Sequence, residues 1–148
     1  MKHALNFLLK NVIGIVAVAI VSFGASTASA LTTNTTNGIT YLTGGITVDE
    51  RQEMTEQRKN FSLLLKLAAK SGRYLGDVSV NITDGKGAAV FESTTDGPWL
   101  MVNLPAGSYT LKATNGGVSQ SQKIGIGPNA RRELTMFWNV IDKDDTKE

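Results

Sequence analysis

The stretch Val78-Ser79-Val80-Asn81-Ile82-Thr83-Asp84-Gly85 decides the fold. Its apolar residues Val78, Val80 and Ile82 alternate with polar Ser79, Asn81 and Thr83. Successive side chains of a strand point to opposite faces, so a period of two describes a strand buried on one side. Asp84-Gly85 reads as a hairpin turn, with Gly85 taking the positive φ that primed turns require. Ala88 to Thr94 is then the returning strand.

The pattern repeats on both sides. Upstream, Phe61, Leu63, Leu65 and Leu67 recur at every second position, although the run Leu63-Leu64-Leu65 also fits a continuing helix. Downstream, Trp99 to Leu104 is a strand closed by Pro105-Ala106-Gly107. Tyr109, Leu111 and Ala113 alternate with Thr110, Lys112 and Thr114. Asn115-Gly116-Gly117 is a strong hairpin signal. A polar strand from Val118 to Ile126, a turn at Gly127-Pro128-Asn129 and a last strand carrying Leu134, Met136, Trp138 and Val140 complete the series. About seven short strands with turns between them predict an all-β, antiparallel β-sandwich.

One helix precedes them. Thr47-Val48-Asp49-Glu50 is a capping box, in which the Thr47 hydroxyl accepts from the Glu50 amide and the Glu50 carboxylate accepts from the Thr47 amide. The helix is expected from about Val48 to Lys59, with acids in its first turns and Arg58 and Lys59 in its last. Its apolar content is only Val48 and Met54, which suggests a surface position. The Thr/Asn-rich residues 31–46 read as a disordered or extended lead-in. The domain occupies residues 47–141, and 142–148 form a charged tail.

Residues 1–30 have the three parts of a secretory signal peptide. Lys2, His3 and Lys10 are followed by an apolar run and by small residues, with cleavage expected after Ala28 or Ala30. The run from Val12 to Ala25 has 14 residues, short of the roughly 20 that span a bilayer. No membrane span is expected after cleavage, and no Cys is present for lipid attachment. Without Lys2 and Lys10 the 15 basic residues fall to 13 and match the 13 acidic ones. A neutral domain gives no electrostatic reason to bind nucleic acid. The lack of Cys means packing alone must hold the domain, and it fits a bacterial envelope, periplasmic or secreted, better than an oxidising eukaryotic pathway.

The turns and strands of residues 76–117 carry a pattern: Gly76-Asp77-Val78, Asp84-Gly85-Lys86-Gly87, Thr94-Thr95-Asp96-Gly97, then Leu104-Pro105-Ala106-Gly107-Ser108-Tyr109-Thr110-Leu111-Lys112-Ala113 and Gly116-Gly117. It resembles the carboxypeptidase regulatory-like family, whose fold is a transthyretin-like (prealbumin-like) β-sandwich. The resemblance implies that fold and an accessory role, and it assigns no activity. Each motif residue has a structural reading. Gly85, Gly97, Gly107 and Gly116 serve turns, Asp96 belongs to the same class of turn residue, and Pro105 ends a strand. Tyr109 turns its ring inward while its hydroxyl reaches a partner at the rim. The sequence departs from the family where Asp96-Gly97 runs directly into Pro98-Trp99, which gives this loop its own shape.

The only His, His3, lies in the leader, so the exported domain has neither His nor Cys. A Ser or Cys nucleophile lacks its usual base, and zinc or copper lacks its usual ligands. The transthyretin-like enzymes that use histidines cannot be assembled from this chain. No catalytic residue, metal or cofactor is therefore assigned, and the chain reads as a non-enzyme. Calcium needs only oxygens, but turn aspartates such as Asp84 and Asp96 commonly bond their own backbone.

Interaction residues are the remaining candidates. Leu100, Val102 and Leu104 share one strand face, leaving Trp99 and Met101 on the other; Phe137 similarly faces away from Leu134, Met136 and Trp138. An outward patch of Trp99, Met101 and Phe137 has the composition of a protein-binding surface. The competing arrangement is that helix 48–59 or the N-terminal segment covers it. The expected function is a protein–protein interaction or envelope-assembly module. The alternative is a carbohydrate or small-ligand module, with Trp99 or Tyr74 stacking on sugar rings.

Overall fold

The two-residue periods become strands throughout the computed structural model, which describes residues 31–140. Residues 1–30, expected as a signal peptide, and residues 142–148, expected as a charged tail, lie outside the described residues. The strands are β1 (Asn34–Thr36), β2 (Ile39–Gly44), β3 (Leu63–Ala69), β4 (Ser79–Asp84), β5 (Ala89–Thr94), β6 (Trp99–Val102), β7 (Gly107–Asn115), β8 (Val118–Ile126) and β9 (Arg132–Trp138). They form a five-stranded sheet in the order β1-β2-β6-β3-β9 and a four-stranded sheet in the order β5-β4-β7-β8. The protein is an all-β sandwich.

The alternating residues fill the space between the sheets. Val80, Ile82, Phe91, Leu111 and Ala113 of the four-stranded sheet meet Leu63, Leu65, Leu67, Leu100, Val102, Met136 and Trp138 of the five-stranded one. Tyr41 of β2 meets Phe91 edge-on, with ring centroids 5.1 Å apart. Full burial of each large apolar side chain is worth about 1.5–3 kcal/mol, which is how a domain without disulfides is held.

The described residues hold nine strands rather than about seven. The additional two lie in residues 31–46, expected as a disordered or extended lead-in. Asn37 and Gly38, at φ 48° and 77°, make the tight turn between β1 and β2. β2 then pairs with β6, Tyr41 opposite Val102 and Leu42 opposite Met101. The sandwich is also not wholly antiparallel, because β3 and β9 run parallel from Leu63↔Arg132 to Ala69↔Trp138. Parallel neighbours need a long connection, and the chain supplies one by building β4 to β8 between them.

The helix α1 (Val48–Gln57) has the expected reciprocal capping box between Thr47 and Glu50. It ends before Arg58 and Lys59, which form a separate 3-10 turn, Arg58–Asn60. Met54 is fully buried against Leu42, Phe61, Leu64 and Met101, a second core on the outer face of the five-stranded sheet. This explains the Leu63-Leu64-Leu65 run: Leu63 and Leu65 face the sandwich, and Leu64 faces the helix.

The turn glycines differ from expectation. At the β4–β5 turn Gly87, not Gly85, has positive φ; the Asp84 carboxylate holds this turn by accepting from the Lys86 and Ala88 amides at 2.9 and 3.0 Å. Gly97 has ordinary φ and is needed for space. A Cβ there would overlap the Gly44 carbonyl oxygen and lie 2.7 Å from its carbon.

Candidate interaction face

The pairing registers place three rows of side chains on the outer face of the five-stranded sheet. The first is Leu42–Met101–Leu64–Glu133, and the second is Gly44–Trp99–Lys66–Thr135. In the third, Ala68 has Phe137 on one side and Tyr74 on the other.

The helix divides this face. It lies on the first row, so Met101 is 0% exposed and does not belong to a surface patch. That corrects the expectation for Met101, and the reason is the apolar contact made by Met54 from above. Trp99 is half-buried at the helix border. Its Cγ lies 3.0 Å from where a Cβ on Gly45 would stand, the Lys66 ammonium sits 4.8 Å from its ring centroid, and its Nε1 is buried without a hydrogen-bond partner. Phe137 is 49% exposed. Trp99, Met101 and Phe137 therefore share a sheet face without forming one open patch.

The exposed part of the face is the third row. Tyr74 is 55% exposed, while Ala68 between it and Phe137 is buried. Neighbouring strands are about 4.8 Å apart, so Tyr74 and Phe137 rise from backbones about 10 Å apart across a short side chain. Tyr74 is positioned by Arg51 of α1, whose guanidinium carbon lies 5.5 Å from the ring centroid. Arg51 is itself fixed by donating to the carbonyls of Gly45 and Ile46 at 2.7 and 3.1 Å. The Phe137 backbone is held by the Gln120 side-chain amide, which donates to its carbonyl. Beyond this row, Lys66 and Glu133 pair at 2.6 Å, an exposed contact of small energetic weight.

The remaining candidates are dispersed. The Tyr109 hydroxyl donates to the Pro105 carbonyl at 2.7 Å, and burial followed by the nearby Asp84 charge pushes its pKa up. Asp96 uses its backbone amide to donate to Thr43 Oγ1. Gly107 lies beside the Tyr109 ring, and Gly116 takes positive φ in the β7–β8 turn. Among the described residues no group of three or more His, Cys, Asp or Glu comes together to hold a metal. No described helix is long and apolar enough to cross a membrane.

The pairing of Tyr74 with Phe137 was outside the reach of sequence reasoning, because it depends on the parallel register of β3 with β9. Comparison with protein-family models and with curated proteins finds no match to this sequence.

Proposed function

We propose that this chain is a non-catalytic, exported β-sandwich module of the cell envelope, periplasmic or secreted, that binds a protein partner through the Tyr74–Ala68–Phe137 face. The observation that carries the reading is the exposure of two aromatic rings on either side of a short side chain, on a rigid sheet. Aromatic anchors on rigid backbone are the usual centre of a protein interface. Export is supported by the basic, apolar and small-residue succession of residues 1–30. Membership of the carboxypeptidase regulatory-like family is part of the proposal. Of its motif residues, Gly107 to Ala113 lie on β7, in the sheet opposite the proposed face, and most of the others lie in the turns that flank β4, β5 and β7.

Cross-linking in intact cells at native expression, followed by mass spectrometry, tests this reading. A reproducible partner is expected, lost in both Tyr74→Ala and Phe137→Ala. Partner capture unchanged in both variants overturns the assignment of the face.

A second reading, carbohydrate binding, is favoured by the exposure of the Tyr74 and Phe137 rings on one sheet face, since exposed aromatic rings suit stacking on a sugar. Glycan-induced fluorescence change abolished by Tyr74→Ala would select it over a protein partner.

A further inference from the structure

Positive charge gathers at the end of the sandwich away from Phe137. Arg58 and Lys59 lie in the 3-10 turn, and Arg131 and Arg132 lie where the chain enters β9. The two segments are clamped together. Arg58 donates to the carbonyls of Phe61 and Arg132 at 2.6 and 2.8 Å, Arg131 donates to the Lys59 carbonyl at 3.4 Å, and the Arg132 amide donates to the Ser62 carbonyl at 2.7 Å.

Beside this clamp is an open depression of about 340 Å³. Lys59 and Arg131, both exposed, stand on its wall with Asn60, Asn103 and Asn129, and no Asp or Glu lines it. The carboxylate whose field reaches Arg58 is that of Glu133, which is paired with Lys66. Burial pushes the Arg58 pKa down, Glu133 opposes the shift, and the charge of Arg131 adds to it. Two guanidinium groups thus repel one another here. The described residues are close to electrical balance, so the cluster is a local concentration and not a general excess.

We propose that this depression binds a phosphate-class oxyanion carried by a small molecule, with Lys59 and Arg131 as its charge partners and the asparagine amides as neutral donors. An arginine fork and a lysine point charge together suit a tetrahedral dianion. The volume is at the small end of ligand pockets, about 300–1,000 Å³, which fits a phosphate with a compact polar body. The site is separate from the aromatic row: Arg132 and Phe137 are five residues apart on β9, about 17 Å along the strand.

The test is an amide NMR titration of the full chain with inorganic phosphate and with glycerol phosphate, against sodium chloride at matched ionic strength. Saturable shifts are expected at residues 59–62, 103, 127 and 129–131. The double variant Lys59→Gln/Arg131→Gln is expected to weaken affinity at least tenfold while leaving the other amides in place. Lys112→Gln, on the four-stranded sheet, serves as the control and is expected to leave affinity unchanged. Shifts that follow ionic strength alone, saturation elsewhere on the molecule, or unchanged affinity in the double variant would each overturn the site. Phosphatidylglycerol vesicles separate the sources of phosphate. Binding to vesicles with no response to the soluble phosphates overturns a small-molecule pocket in favour of a membrane surface.

Discussion

The indole Nε1 of Trp138 donates to the carbonyl of Val118 at 3.0 Å, joining β9 of one sheet to β8 of the other where no strand pairing does. The ring itself is buried in the main core. Trp138→Phe keeps an aromatic ring but removes the donor and part of the ring volume. The expected loss is about 2 kcal/mol, combining a hydrogen bond with a small cavity. Urea unfolding checks this, with the midpoint lowered and the slope unchanged. A loss below about 0.5 kcal/mol, the range of ordinary surface changes, would show that the indole does not hold this edge.

The helix has little apolar surface, so its docking depends on one side chain. Met54→Ala should cost about 2–5 kcal/mol, the usual range for truncating a buried methionine. It should also raise the binding of a hydrophobic dye, because Leu42, Leu64 and Met101 lie beneath. Thr47→Ala removes the cap instead and should cost about 1 kcal/mol without dye binding. Equal effects from the two variants would contradict a helix held mainly by Met54.

Two glycines separate space from flexibility. Gly97→Ala drives a methyl into the Gly44 backbone, and overpacking of this kind costs about 1–3 kcal/mol. Gly125→Ala meets nothing within 4 Å and has no positive φ. It should raise stability by about 0.4–1 kcal/mol by restricting the unfolded chain. Thermal unfolding of both variants gives the signs directly. A neutral Gly97→Ala would mean that the β2–α1 corner yields to the methyl.

Strands buried on one face were legible by their period of two, clearest at Val78–Thr83 and Tyr109–Thr114, whereas β3 and β6 are covered on both faces and show it less cleanly. The β1–β2 hairpin was hidden by composition. Thr and Asn suggest disorder, yet Asn37-Gly38 is a turn signal that only acquires meaning once β2 finds β6. Periodicity also set Met101 and Phe137 on the faces they occupy. It says nothing of what lies on a face, so the helix over Met101 and the opening at Phe137 could not be told apart. The basic end is legible only in three dimensions, since Arg58 and Arg131 are far apart in the chain.

Tyr109 gives the fold a sensitivity to alkali. Its phenol is protonated when it donates to Pro105, and burial, with the Asp84 charge, raises its pKa above the ordinary value of about 10. The unfolded chain therefore releases this proton first as pH rises. The contribution of Tyr109 is complete below about pH 10 and is lost as pH climbs through the folded value. Tyr109→Phe has no such proton. At pH 9 the variant should be less stable by about 1 kcal/mol, the worth of the lost hydrogen bond. The difference between the two proteins should then shrink above pH 10. Other groups titrate alike in both, so urea unfolding of the pair across this range isolates Tyr109. A difference that stays constant through pH 11 would mean that the phenol keeps its proton equally well in the folded and unfolded chains.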